Sequence, residues 1–164
     1  KVGSGDIGNI PFLRYIGSKN LPVILSTGMS SLAEIEISLK ALKEGGATDI
    51  TLLHCTTSYP CPYDGVNLRA MDTIKVAFGL EVGYSDHTVG IEVPVAAVAR
   101  GAIVIEKHFT LDKNMEGTDH KCSLNISELE NLISQINRIP TILGSCWINV
   151  YDSEKKIRDK LRKK

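Results

Sequence analysis

The chain has 164 residues, enough for one domain with a buried core. Apolar residues make up 43%, charged residues 23%, and 19 basic residues balance 19 acidic ones, which excludes disorder and gives no sign of a nucleic-acid or anionic-membrane partner. No apolar run approaches the roughly 18 residues of a membrane span, and Cys55, Cys61, Cys122 and Cys146 show no CxxC spacing, so they read as reduced thiols of a cytoplasmic protein rather than a disulfide framework or zinc site.

In chain order, residues 1–6 (KVGSGD) read as a strand end running into a Gly-rich loop. The chain opens on Lys1, inside that strand, so a fragment of a longer polypeptide is expected. Residues 10–18 are helix-compatible, 22–25 form a short buried strand, and 26–31 (STGMSS) form its loop. Ser31 with Glu34 fits a capping box, Ile35, Leu39 and Leu42 recur on one helical face, and Gly45 and Gly46 end that helix. Residues 49–54 are the next strand, and Pro60 and Pro62 forbid regular helix in the long loop that follows. Helix returns at 68–78, strand at 80–83, helix at 91–100 with Pro94 in its first turn, and strand at 102–106. Asn125 with Glu128 suggests a second cap pair, and Leu129, Leu132, Ile133 and Ile136 mark the helix behind it. A last helix is expected at 153–162, and the basic cluster Lys155, Lys156, Arg158, Lys160, Arg162, Lys163 and Lys164 reads as a solvated face.

Five strand–helix alternations with continuous apolar strands predict an α/β chain with a buried parallel sheet. An open doubly wound sheet and a β/α barrel both fit the pattern. A barrel needs eight strands and roughly 250 residues, so this chain holds part of one. No P-loop is present. Polar residues gather after the strands: Ser4 and Asp6, Ser26 and Thr27, His54 to Tyr59, Ser85 to His87, and His108 with Thr110. Ligand sites in both architectures lie at that end.

Besides His54, two of these strand ends carry histidines. His87 and His108 each follow a short apolar strand and its first polar residues, which places them at the same end of two neighbouring strands. Neutral imidazoles so placed suit a divalent metal; the competing reading is a pair of hydrogen-bonding loop residues. Ser26 and Thr27 also read as helix-cap residues, and Tyr59 as loop packing. His54 reads as core. Asp86 reads as orienting a histidine or capping the next helix, and His120 has no assigned role.

The motifs KVGSGD, LSTGM, HCTTSYP, VNLRAM, GYSDHTVGI, EKHFTLD and the downstream DHK, in order and at consistent spacing, resemble the N-acetylneuraminate (sialic acid) synthase family. The likeness runs from Lys1 to about Ile139. It implies a partial TIM-type (β/α) barrel over residues 1–139, about strands 4 to 8 with their helices. Residues 140–164 would then be a connector toward a small antifreeze-like domain. The family condenses phosphoenolpyruvate with an N-acetylated amino sugar such as N-acetylmannosamine, assisted by Mn or Mg. It works as a domain-swapped homodimer. Carried over by position, His87 and His108 match the metal ligands, and with Asp119 the catalytic set. Lys1, Ser4, Ser26, Thr57 and Ser85 match phosphoenolpyruvate-binding positions, and Asp6, Tyr59 and Asp119 sugar-binding ones. Asp6 stands where glutamate is common, which shortens its reach, and Thr57 where some members have asparagine. HCTTSYP and VNLRAM point to N-acetylneuraminate as product. Legionaminic or pseudaminic acid synthesis, or a non-catalytic sugar-binding remnant, are the alternatives. With the first strands and last domain outside it, the chain alone is expected to be inactive.

Overall fold

The computed structural model describes residues 1–163. Helix α1 (Ile10–Gly17) leads into a parallel sheet of β1 (Val23–Ser26), β2 (Ile50–Cys55), β3 (Glu81–Asp86) and β4 (Ile105–Lys107), in that spatial order. Helices α2 (Leu32–Gly45), α3 (Ala70–Phe78) and α4 (Glu92–Ala99) join successive strands. After β4 come α5 (Ile126–Ile136), α6 (Ile139–Leu143) and α7 (Asp152–Leu161). This is an α/β half-barrel of parallel strands with helices on one face.

The expected first strand is reduced to one bridge. Val2 pairs with Leu25, donating to Ile24 O at 2.8 Å and accepting from Ser26 N at 3.0 Å. Ser4–Asp6 then closes a 3-10 turn. Glycines at 3 and 5 give the segment no side-chain packing to extend it. The sheet therefore has four strands plus a bridged residue, not five strands. β3 also runs further than its apolar residues suggest, through Ser85 and Asp86, and β4 begins later than expected.

Strand alternation sorts the side chains. Leu25, Leu52, Tyr84 and Ile105 face the helices and join Leu13, Leu39, Leu42, Ile74 and Ala97 in the core. Each fully buried leucine there contributes about 1.5–3 kcal/mol. Both expected capping boxes form, Ser31 with Glu34 and Asn125 with Glu128, and Gly46 ends α2 in the left-handed conformation at φ 116°. These caps fix where α2 and α5 begin, and so the lengths of the loops that carry the site.

Most of α6 and all of α7 fall within residues 140–163, both largely exposed, and α7 carries Lys155, Lys156, Arg158 and Lys160 of the basic cluster. Lys164 of that cluster lies outside the described residues. Among the described residues, no helix is long and apolar enough to cross a membrane. All four cysteines are free, and only Cys146 is exposed.

Candidate active site

The face of the sheet turned away from the helices carries the polar residues. In the ladder, Cys55 pairs with Ser85 and Ser85 with Glu106, one row across three strand ends. Two residues further along each strand come Thr57, His87 and His108. A period of two keeps them on the same face, directly above that row.

The two imidazoles stand together, with ring centroids 5.4 Å apart. Tyr59 packs on both, at 4.1 Å from the His87 ring and 5.7 Å, edge-on, from that of His108. His87 is buried and its Nδ1 lies 2.8 Å from Thr56 O. A carbonyl only accepts, so Nδ1 carries the proton and the Nε2 lone pair is free. Burial pushes the His87 pKa down, against the opposing pull of the Thr56 carbonyl, and keeps the ring neutral. His108 is more open, with Asp119 Oδ2 at 3.7 Å from its Nδ1. Asp119 is held in its loop through its backbone carbonyl, which accepts from Ser123 Oγ at 2.7 Å.

Next to this group lies a charged and hydroxyl-bearing cluster. Lys1 Nζ lies 2.9 and 2.8 Å from the two Glu106 oxygens, and Ser85 Oγ donates to Glu106 Oε1 at 2.8 Å. Burial works to raise the Glu106 pKa, but the Lys1 ammonium and Ser85 hydroxyl outweigh it and hold the carboxyl below the usual glutamate range. Ser26, at the end of β1, has a buried hydroxyl with no hydrogen-bond partner, the one such side-chain atom among the described residues. Ser4 Oγ and Thr57 Oγ1 approach each other at 3.4 Å. A Cβ on Gly28 would meet Thr57 Oγ1 at 2.3 Å and Ser4 Oγ at 3.1 Å, so only glycine lets the loop after β1 approach these hydroxyls.

The structure thus brings together Lys1, Ser85, His87, His108, Tyr59 and Asp119 at neighbouring strand ends, with Ser4 and Thr57 paired beside them. Asp6 sits in the 3-10 turn after the Val2 bridge, in the same loop as Ser4. His54 is on the helix-facing side, its Nε2 at 2.8 Å from Val66 O. Thr27 Oγ1 donates to Leu53 O at 3.0 Å and His120 Nδ1 lies 2.7 Å from Thr110 Oγ1, so both are tied to local structure. Asp86 does not touch an imidazole; its carboxylate binds Thr88 and Lys107.

Sequence reasoning missed Glu106 and Lys107. The signal for Glu106 was its offset from His108, the same i, i+2 step that separates Ser85 from His87. It also missed Cys55, whose sulfur lies 3.9 Å from His87 Nδ1. Burial raises that thiol's pKa, which disfavours the thiolate. A cavity of about 650 Å³ lies between α2 and α3, lined by Met29, Asn67, Arg69 and Thr73 among others, and includes neither His87 nor His108. The histidines lie instead on the sheet face turned away from the helices.

Among the described residues, no three His, Cys, Asp or Glu side chains are grouped to hold a metal ion. Two imidazoles side by side, one with its tautomer set by a carbonyl, are donors of a type that suits a divalent cation. They do not make a closed structural site.

A family profile described as the NeuB family matches residues 1–147, and the chain belongs to that family. It is 53% identical over 165 residues to the N,N'-diacetyllegionaminic acid synthase of Campylobacter jejuni, covering 99% of this chain and 49% of that protein. It is 37% identical over 164 residues to the human N-acetylneuraminate-9-phosphate synthase, covering 99% of this chain and 45% of that one. The crystal structure of the sialic acid synthetase of Leptospira borgpetersenii, in complex with citrate, superposes with a TM-score of 0.84 at 40% identity, over 99% of this chain and 57% of that one. The chain spans about half the length of the curated relatives it matches. Its relatives are sugar-acid synthases.

Proposed function

We propose that this chain supplies the later strands, about 4 to 8, of the barrel of a phosphoenolpyruvate-dependent sugar-acid synthase. The observation that carries the reading is the paired strand ends: Ser85 beside Glu106 and Lys1, with His87 and His108 one step above. Lys1, Ser85 and the orphan hydroxyl of Ser26 form a cationic, hydroxyl-rich seat for the phosphate and carboxylate of phosphoenolpyruvate, with Ser4 and Thr57 completing it. Glu106 holds the Lys1 ammonium in place until the anion arrives. Tyr59, Asp119 and Asp6 face the acceptor sugar, whose hydroxyls suit carboxylates and a phenol.

His87 and His108 would hold a divalent cation, Mn or Mg, which would supply Lewis-acid polarisation of the open-chain sugar's carbonyl. The enol carbon of phosphoenolpyruvate attacks the aldehyde carbon and forms the C–C bond, and the carbonyl π pair moves to the sugar oxygen, which takes a proton. Water adds at the carbon left electron-poor, and phosphate departs with the C–O electron pair. Asp119, beside His108, is placed to take a proton from that water or from a sugar hydroxyl. The complete polypeptide acts in the cytoplasm as a homodimer. Residues 140–164 lead toward a small domain that closes the partner's site, and the half-barrel alone is inactive.

The acceptor is a 2,4-diacetamido sugar, giving N,N'-diacetyllegionaminic acid. The 53% identity to the Campylobacter jejuni synthase, against 37% to the human N-acetylneuraminate-9-phosphate synthase, favours this over N-acetylmannosamine. The test is product mass from the complete polypeptide given phosphoenolpyruvate and each acceptor in turn. A condensation product from the diacetamido sugar supports the reading. Product from N-acetylmannosamine alone moves the assignment to N-acetylneuraminate. No product from either, with folded protein and Mn, leaves the sugar-binding remnant.

A further inference from the structure

We propose that the buried Asp86–Lys107 ion pair is a positioning device that sets the relative displacement of the β3 and β4 ends, and through it the separation of His87 and His108. The inference rests on the metal-site reading above. Asp86 and Lys107 are the last residues of their strands and direct partners in the ladder. Their side chains are 0% and 3% exposed. Lys107 Nζ donates to Asp86 Oδ2 and, at 2.6 Å, to Thr88 O. Asp86 Oδ1 in turn accepts from Thr88 N at 3.1 Å and Thr88 Oγ1 at 2.9 Å.

One side chain from β4 therefore grips the residues on both sides of His87, and that same residue immediately precedes His108. A slip of either strand end breaks bonds to the ammonium before it moves an imidazole. By strand alternation the pair lies on the face opposite the histidines, so it touches neither metal nor substrate and acts only through them. Stability alone does not account for it. Burying two ions costs several kcal/mol each after relaxation, and apolar residues of similar volume are often as stable or more so. The ion pair's bonds are directional, and an apolar pair would let the ends slide.

The test uses the complete polypeptide. Co(II) binding is followed by its visible absorption and Mn(II) binding by electron paramagnetic resonance, with phosphoenolpyruvate affinity and thermal midpoint measured alongside. In Asp86→Leu/Lys107→Met we expect a midpoint equal to or above wild type. Metal affinity should fall about 10- to 100-fold, the usual cost of losing support behind a ligand. Phosphoenolpyruvate affinity without metal should stay within twofold, because Lys1, Ser26 and Ser85 are untouched; a general loosening of the fold would weaken both. Should the double variant not fold, Thr88→Val removes one bond to Asp86 and should weaken metal binding several-fold at unchanged phosphoenolpyruvate affinity. Wild-type metal affinity in the folded variant, with binding still abolished by His87→Ala, overturns this inference and leaves the metal site standing. Metal binding that is absent in wild type, or indifferent to His87→Ala and His108→Ala, overturns the metal site and this inference with it.

Discussion

Replacing Ser26 with alanine separates binding from stability. Ser26 Oγ is buried and has no hydrogen-bond partner among the described residues, while Thr27 beside it reaches Leu53 O at 3.0 Å. A buried hydroxyl without a partner costs about 1–3 kcal/mol of desolvation. Ser26→Ala removes that cost and leaves only a small void, so a gain near 1 kcal/mol is expected. When phosphoenolpyruvate binds, the same hydroxyl gains a charged partner, a bond of about 1.5–3 kcal/mol. Its loss should weaken binding about 10- to 100-fold at roughly 1.4 kcal/mol per decade. Urea unfolding of the complete polypeptide without substrate gives the first number, and calorimetric titration with phosphoenolpyruvate the second. A variant that is less stable than wild type by more than about 1 kcal/mol, with unchanged phosphoenolpyruvate affinity, refutes this reasoning. Ser26 would then be an ordinary packing residue.

Lys1→Met should raise the KM for phosphoenolpyruvate by about 10- to 100-fold through loss of charge-assisted bonds, with less effect on acceptor KM; steady-state kinetics with each substrate varied will show it. Gly28→Ala forces a Cβ onto Thr57 Oγ1 and Ser4 Oγ, and should destabilise by about 1–3 kcal/mol in urea unfolding while weakening phosphoenolpyruvate binding. Burial lowers the pKa of His54 in the folded state, against the opposing carbonyl of Val66, so the folded chain binds fewer protons than the unfolded one. Its contribution is therefore fully present above the unfolded value of 6.5 and is lost as pH falls below it. Unfolding midpoints measured from pH 7.5 down to about 5 should fall less steeply in His54→Gln than in wild type.

What the sequence made legible follows from local physics. Ser31 with Glu34 and Asn125 with Glu128 are close in sequence, so their capping boxes could be read directly and were formed as read. The alternation of apolar runs with helical periodicity gave the parallel α/β class. It could not give strand ends, because Ser85 and Asp86 are polar yet remain in the β3 ladder, held by partners on β2 and β4. Nor could it show that the chain would leave the sheet after Val2 and close a 3-10 turn at Ser4–Asp6. The histidine pair was visible because both residues follow strands at matching offsets. Glu106 and Lys107 were not, since a charged pair at a strand end reads as solvent-facing until the register sets Glu106 against Ser85 and Lys107 against Asp86. The likeness to known synthases supplied the chemistry, and the geometry supplied the reason Ser85 and Lys1 meet at one carboxylate.

The most direct measurement is phosphate release from phosphoenolpyruvate by the complete polypeptide with a 2,4-diacetamido acceptor, with and without Mn, in wild type, His87→Ala and His108→Ala. Release that needs both acceptor and metal and is lost in each histidine variant is the predicted result. Release that proceeds undiminished in both variants, or that ignores the acceptor, would contradict a condensing site built on the β3 and β4 ends.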